Sequence, residues 1–382
     1  GKLITAFGEN GMATFDSATS STARELHIGD LVLRAFGSAT TDGKLLVGAS
    51  SSGTQTVSSS LRRIIVPGTT TAPGIQETLL GVFGVVNGKK TKLAVDLGGG
   101  RTAIFTLTGG TGTALQAGTN IHLEITDLGT GAVLTVAIKG GGVVSFSDIS
   151  VTGNLKSLKA RAGTVNGTLA VSGSAGKVTL GDIPGNVSIV GALASLTAGA
   201  IGGNVSAGGN VANLKLGAVA GNVMVAGNIK TLVAGDVSGT IFASGQLGHA
   251  KVGNVTGSIV SASLILSLTA ASLTNAKIIA GDNLGSDGLF GGSGSAADSF
   301  AAGTIDVLHV NGAITGSFIG AGADPTNGVF GDGNDTSAGT GLIKSIIAKG
   351  GATTSTFESS AFGIAKLPAK VVVTTDPRFI VL

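Results

Sequence analysis

Two short segments of this sequence carry oxygen-bearing side chains between glycines, a pattern that can bind a metal ion. The residues are Asp282, Asn283 and Asp287 in the first segment, and Asp332, Asn334 and Asp335 in the second. Carboxylate and amide oxygens are the ligands that Ca²⁺ prefers. Neither segment has the alternating acidic residues and closing Glu of a calcium-binding helix–loop–helix. We interpret both as polar loops, with Ca²⁺ binding as the alternative and no other cofactor.

Residues suited to catalysis are few and far apart. Asp182 and Asp236 lie three repeat lengths apart, roughly 14 Å, which is too far for a pair of catalytic carboxylates. We interpret them as solvated turn residues. No two histidines have metal-ligand spacing among His27, His122, His249 and His309. The chain has no Cys, Trp or Tyr. We therefore predict that it is not an enzyme.

The charge pattern argues against nucleic acid as a partner. The net charge is +3 and the pI is near 9.1, which we attribute to few charges of either sign rather than to a basic face. No aromatic residues separate the densest basic patches, which are Lys89, Lys90 and Lys92, and Lys156, Lys159 and Arg161. No run of about 18 apolar residues is present, so we predict no transmembrane segment.

An internal repeat must position these side chains. From Ser157 to Leu264 the sequence repeats every 18 residues in six copies, such as LASLTAGAIGGNVSAGGN and VANLKLGAVAGNVMVAGN. Two glycine columns are Gly163, Gly181, Gly199, Gly217, Gly235 and Gly253, and Gly167, Gly185, Gly203, Gly221, Gly239 and Gly257. Two apolar columns are Val165, Ile183, Ile201, Val219, Val237 and Val255, and Leu169, Val187, Val205, Val223, Ile241 and Ile259.

The columns predict short strands that stack on their own copies. Apolar residues two apart point to one side of a strand, and we expect the glycines to supply positive φ at sharp corners. We therefore predict an all-β fold, a β-solenoid (β-helix) with 18-residue rungs. Mixed inner columns begin with Ala160 and Val178, and with Ala162 and Leu180.

A polar column has two interpretations. Its members are Thr168, Asn186, Asn204, Asn222, Thr240 and Ser258. They are turn residues beside glycine, or they form hydrogen bonds up and down the stack.

The sequence outside the regular repeat divides into further regions. We predict a smaller β-rich N-terminal domain over residues 1–92, with a strand at 31–36 and a hairpin turn at Asn87-Gly88. Irregular first rungs or a cap follow over 93–148, and the regular solenoid extends over 149–280. Rungs decorated by Gly/Asp loops occupy 281–370, and an extended tail occupies 371–382.

Several segments resemble a known family. The segments RTAIFTLTGGTG, TGAVLTVAIKGGGVVSFSDISVTGNLKSLKA and the terminal TTDPRFIVL are similar to the large β-strand-repeat surface proteins of planctomycetes and related bacteria. The resemblance covers about residues 93–382 and implies a secreted, extracellular or cell-surface location. Separately, residues 6–68 resemble a single unit of a bacterial β-propeller repeat, which cannot close a propeller alone.

The expected function is structural. An open stack of rungs can continue into another copy, so we predict a homo-oligomer, filament or matrix. The candidate self-association residues lie in the apolar tail and are Val371, Val372, Val373, Phe379, Ile380, Val381 and Leu382. The alternative is an adhesin or carbohydrate-binding module with surface glycans as partners. A polysaccharide-cleaving enzyme is a minor alternative.

Overall fold

The computed structural model describes residues 24–28, 31–35, 48–49 and 77–366, except residue 333. The chain divides into two compact units, Gly1–Gln76 and Glu77–Leu382. In the first unit, the antiparallel strands are β1 (Arg24–Ile28), β2 (Leu31–Ala35) and β3 (Gly48–Ala49). The strand predicted at 31–36 is thus confirmed. The self-association residues of the tail lie outside the described residues.

The second unit begins with antiparallel strands. They are β4 (Glu77–Val86), β5 (Lys89–Gly98), β6 (Arg101–Thr108), β7 (Thr111–Ala117), β8 (Asn120–Thr126) and β9 (Val133–Lys139). Asn87 and Gly88 join β4 to β5 with φ values of 49° and 73°. Positive φ at both turn residues is the geometry that Asn-Gly favours in tight hairpins, so the predicted hairpin is confirmed.

The regular repeat follows as short strands. They are β10 (Val144–Val151), β11 (Leu155–Ala160), β12 (Gly163–Val171), β13 (Ala175–Leu180), β14 (Asn186–Ile189), β15 (Leu193–Thr197), β16 (Val205–Ala207), β17 (Val211–Lys215), β18 (Val223–Val225), β19 (Ile229–Val233), β20 (Thr240–Ala243), β21 (Leu247–Lys251), β22 (Asn254–Val255) and β23 (Ser258–Ser261). Val187 pairs with Val205 and Leu196 with Leu214, each 18 residues later. The repeat length is therefore the pairing register.

Fifteen further strands complete the described chain. They are β24 (Leu264–Ala270), β25 (Ser272–Thr274), β26 (Lys277–Ala280), β27 (Asp282–Asn283), β28 (Ser299–Phe300), β29 (Thr304–Ile305), β30 (Leu308–Val310), β31 (Ile314–Thr315), β32 (Phe318–Ala321), β33 (Ala323–Asp324), β34 (Thr336–Ser337), β35 (Leu342–Ala348), β36 (Ala352–Thr353), β37 (Thr356–Ser359) and β38 (Ala361–Lys366). The only helix among the described residues is a 3₁₀ turn, Gly294–Ala296. No described helix has the length and hydropathy needed to span a bilayer.

The parallel strands pair in three series, which we call ladders. The first contains β10, β12, β14, β16, β18, β20, β23, β26, β32 and β37, and the second contains β11, β13, β15, β17, β19, β21, β24, β29, β30, β35 and β38. The third consists of single bridges from Ile183 to Val255 and then of β22, β25, β31 and β36. The β4–β5 hairpin joins the first two ladders into one long mixed sheet. The all-β class is confirmed.

The predicted apolar columns form a continuous core. Ile183 and Val219 from the third ladder are 0% exposed, as are Val165, Leu169 and Val223 from the first. The buried cluster extends without a break from Phe83 to Phe357. Burying a Val, Leu or Ile side chain contributes about 1.5–3 kcal/mol, so each repeat adds several such contributions.

The repeat glycines have a different role from the one predicted. No glycine in either of the two columns has a positive φ. A Cβ at Gly185, Gly203 or Gly221 would instead overlap the carbonyl oxygen of the equivalent glycine one repeat earlier. The expectation of positive φ at these corners is therefore wrong, and glycine is required because adjacent repeats approach too closely for a side chain.

The first copy of the repeat is also displaced from the predicted columns. Ala160 pairs with Leu180, 20 residues later, and not with Val178. The 18-residue register is present at Gly163, which accepts a hydrogen bond from the N–H of Gly181 at 2.9 Å. Two extra residues, Arg161 and Ala162, are thus accommodated between the second and third ladders.

Candidate functional site

The two acidic loops lie over the outside of the first ladder. They connect β26 to β29 and β32 to β35, two equivalent positions in successive repeats. Beneath them is a second apolar group, the outer cluster, separate from the main core. Its members are Phe242, Val260, Ile279, Leu284, Phe318 and Ala323, with Phe290 and Phe330 packed against it. The loops therefore cover this part of the ladder.

Aromatic contacts join the two loops. The ring of Phe330 lies 5.7 Å from that of Phe290, 6.1 Å from that of Phe300 and 4.8 Å from that of Phe318. The Lys277 ammonium lies 4.5 Å from the centroid of Phe290, a cation–π contact. The arrangement fixes both loops to the ladder and to each other.

Asp282 is the most unusual residue of this region. It is 0% exposed, and neither carboxyl oxygen has a hydrogen-bond partner among the described residues. Burial, together with the smaller effects of the charges of Asp298 and Asp324, raises the pKa of Asp282 to about 8, against the opposing effect of Lys277. The carboxyl is therefore mostly protonated at neutral pH and contributes no charge to the outer cluster.

The other predicted oxygen ligands are mostly engaged in local turns. Asp287 Oδ1 accepts a hydrogen bond from the N–H of Leu289 at 3.1 Å. Asn334 Nδ2 donates to Asp332 Oδ2 at 3.2 Å. Asp335 is 0% exposed and its Oδ2 accepts from the N–H of Gly331 at 2.7 Å. Of the predicted ligands, Asp332 and Asn334 are brought into direct contact.

Asp298 is a carboxylate that the sequence reasoning missed. Its Oδ2 accepts a hydrogen bond from the N–H of Gly291 at 2.8 Å. Burial raises its pKa above the ordinary value, with Asp287 adding to the rise and the Gly291 hydrogen bond opposing it. In the part of the chain that the structure describes, no three Asp, Glu or His side chains converge as a metal centre requires. Ca²⁺ binding stays a prediction, and titration with Ca²⁺ tests it.

The corners between strands are ordered by side-chain acceptors. In the polar column, Asn186 Oδ1 accepts from the N–H of Asn204 at 2.8 Å, and Asn222 Oδ1 accepts from the N–H of Thr240 at 3.0 Å. A second corner repeats the arrangement, since Asn210 Oδ1 accepts from the N–H of Asn228 at 2.8 Å. The hydrogen-bonded interpretation of this column is confirmed.

Asp182 and Asp236 belong to a third corner of the same kind. Asp182 Oδ1 accepts from the N–H of Ala200 at 2.9 Å, and Asp236 Oδ1 accepts from the N–H of Asn254 at 2.8 Å. Both residues are exposed, as predicted. Their carboxylates also bond successive repeats together, a role that the sequence interpretation missed.

The described histidine side chains do not form a site together. His122 Nδ1 lies 2.9 Å from Glu77 Oε1 in the antiparallel region. His249 is exposed on the second ladder, and His309 is half-buried in β30. They lie on three different strands, β8, β21 and β30.

The second ladder presents a basic outer face. The strands from β11 to β21 of this ladder carry six lysines, all exposed, which we call the lysine face. They are Lys156, Lys159, Lys177, Lys215, Lys230 and Lys251. The strands β11, β13, β15, β17, β19, β21 and β24 contain no Asp, Glu or Phe. The first acid further along the ladder is Asp306, which pairs with Lys344 at 2.6 Å. The expectation of no basic face is therefore wrong.

A groove of about 940 Å³ follows one edge of the lysine face. Its lining includes Gly176, Ala194 and Ala212, with Lys156 and Lys230 on either side of them along the stack. The small side chains make the groove, because they occupy the outer position where larger side chains would fill it. Asn210 and Asn228 of the second corner line its side.

Comparisons of the chain with family models, with curated proteins and with solved structures find no match.

Proposed function

We propose that this chain is a structural protein of an extracellular or cell-surface assembly, built as a β-solenoid that associates through the C-terminal end of its ladders. The solenoid interpretation is supported by three parallel ladders that share one 18-residue register around one core. In such a stack each repeat contacts its neighbours along the chain. The surface location is supported by the family resemblance of the sequence.

The observation that carries the proposal is the difference between the two ends of the ladders. At the N-terminal end, the β4–β5 hairpin joins the ladders, and its β5 strand bears the exposed lysines Lys89, Lys90 and Lys92. Charged residues, especially lysine, protect edge strands against pairing. At the other end, β37 pairs only with β32 and β38 only with β35 among the described strands. The C-terminal edges can therefore accept further strands.

A structural role rather than catalysis is supported by how the acidic side chains are used. Asp182 and Asp236 bond successive repeats, and Asp282 and Asp335 are buried under the loops. The first two carboxylates bond the stack together, and the last two are shielded from solvent. We propose that the protein is not an enzyme.

The lysines at the N-terminal end oppose strand pairing with another copy. We therefore expect two copies to meet at their C-terminal ends and not to form an open filament. An isologous contact of this kind closes after two subunits. Negative-stain electron microscopy of the purified chain tests it. We expect particles joined in pairs through one end, and dispersed single particles at every concentration would refute the association.

A further inference from the structure

We propose that the lysine face, with the groove along its edge, binds an acidic polysaccharide, a sugar polymer that carries carboxylate or sulfate groups. The inference goes beyond the structural role and does not depend on it, since a side face of the stack can bind whether or not the ends associate. It rests on charge, on the alignment of the lysines along the stack and on the surface between them.

Charge is the first argument. Six exposed lysines project from adjacent strands that contain no acidic residue. The structure gives none of the six an ion-pair partner within the part of the chain that it describes, in contrast to the Lys344–Asp306 pair further along the same ladder. Single-sign surfaces raise the local concentration of oppositely charged ligands and their rate of association. A polyanion is the complementary partner.

Spacing is the second argument. Lys159 and Lys215 occupy one pairing column, three strands apart. Lys251 follows in the same column two strands later. At about 4.8 Å between neighbouring strands, these separations are roughly 14 and 10 Å. Lys156 and Lys230, which both line the groove, are four strands apart, roughly 19 Å. The lysine charges are therefore aligned in the direction in which the strands stack. This arrangement suits a linear polymer that lies along the stack.

The surface between the lysines is the third argument. It carries hydroxyl and amide groups from Thr179, Ser195, Thr197, Asn213 and Thr231. These groups donate and accept hydrogen bonds, as sugar hydroxyls do. The strands of this face contain no Phe, Trp or Tyr, although base stacking on aromatic side chains is the usual means of binding single-stranded nucleic acid. The face therefore favours a polysaccharide over nucleic acid.

The test is a binding titration of the full chain with polygalacturonate, with neutral dextran and a single-stranded oligonucleotide as comparison ligands. We expect polygalacturonate to bind, dextran not to bind and the oligonucleotide to bind more weakly. Binding should weaken with added salt, since exposed charges are screened beyond about 8 Å at physiological ionic strength.

Variants of the groove lysines locate the site. We expect the double variant Lys156→Ala/Lys230→Ala to bind polygalacturonate about tenfold or more weakly, a loss of roughly 1.4 kcal/mol or more. Lys156→Arg/Lys230→Arg, which keeps both charges, should bind as the unaltered chain does. The matched control is Lys89→Ala/Lys90→Ala, which removes two exposed lysines from the end hairpin and should leave binding unchanged.

Three results would overturn the inference. They are failure to bind polygalacturonate at low salt, tighter binding of the oligonucleotide than of polygalacturonate, and equal losses in the groove and control variants. None of them bears on the paired particles expected by microscopy, so failure of this inference and failure of the structural proposal can be distinguished.

Discussion

The side-chain oxygen of Asn186 accepts a hydrogen bond from the backbone N–H of Asn204, its counterpart one repeat later, at 2.8 Å. This donor lies at a corner, just before the paired part of β16 (Val205–Ala207). A hydrogen bond within the chain contributes about 0.5–1.5 kcal/mol net to stability. One short side chain in each repeat thus satisfies a donor of the next, and the three corners together stabilise the stack between its ladders.

Removal of one corner acceptor should weaken the stack measurably. In Asn204→Ala the N–H of Asn222 loses the oxygen that it contacts at 3.2 Å, so we expect the free energy of unfolding to fall by about 0.5–1.5 kcal/mol. The matched control is Asn213→Ala, an exposed asparagine on the second ladder. Denaturant titration followed by circular dichroism measures both. Equal losses in the two variants would contradict the role of the corner column.

The glycine column should tolerate no side chain. In Gly221→Ala the added Cβ would overlap the carbonyl oxygen of Gly203, so adjacent repeats must separate. We expect destabilisation of about 3 kcal/mol or more, at the upper end of the range for overpacking. In the control Gly129→Ala the nearest atom to the new Cβ is 3.9 Å away, and we expect little change. Melting temperatures of the two variants compare the sites, and a stable Gly221→Ala protein would refute the close approach.

Asp282 should make stability depend on pH. Its folded-state pKa, about 8, lies above the ordinary value of 3.8. Protonation of Asp282 therefore favours the folded state. The stability that this group contributes is greatest below its ordinary pKa and is lost as the pH rises to about 8. The loss can reach about 1.4 kcal/mol per pH unit.

The variant Asp282→Asn removes this titration. We expect its unfolding midpoint to change less between weakly acidic pH and pH about 8 than that of the unaltered chain. Asp182→Asn is the control, because this exposed corner residue keeps its accepting Oδ1 and should retain the full pH dependence. If Asp282→Asn shows the same pH dependence as the unaltered chain, a raised pKa of Asp282 is not the cause of that dependence.

The 18-residue register should permit removal of one whole repeat. Deletion of residues 205–222 joins Asn204 to Val223, which occupies the same column as Val205. We expect this variant to keep its β-sheet signal and to melt cooperatively. Deletion of residues 206–222, one residue fewer, turns inward-facing side chains outward in the strands that follow. It should lose the cooperative transition, and similar melting of both variants would contradict a stack in fixed register.

Much of the core could be predicted from the sequence because the same side chain recurs at each repeat. Val165 and Val187 were placed inside from spacing alone, and both are buried. The displaced first copy was predicted only in part. The match of NLKSLKA to GNIKTLVA indicates a two-residue insertion near Lys159, but the predicted columns still set Ala160 beside Val178, and strand pairing places it opposite Leu180. The function of glycine was also misjudged, since close approach between repeats depends on three-dimensional stacking.

The outer cluster and the lysine face were missed for physical reasons. Phe242, Val260 and Ile279 share an outward column with Ser188 and Ser206. This change from serine to large apolar side chains was the available signal that something covers the later repeats. The six lysines are divided among three positions of the repeat and are absent from several copies, so the printed sequence shows them as scattered. Only the combined register of seven strands brings them to one face.

Association through the C-terminal end can be measured by sedimentation velocity of the full chain over a range of concentrations. We predict a monomer–dimer equilibrium that the double variant Val372→Asp/Ile380→Asp shifts to monomer, because charges in an apolar tail oppose its burial. Val190→Asp, at an exposed valine on the side of the stack, should associate as the unaltered chain does. A chain that is monomeric at every concentration, or a tail variant that still associates, would refute association through the C-terminal end.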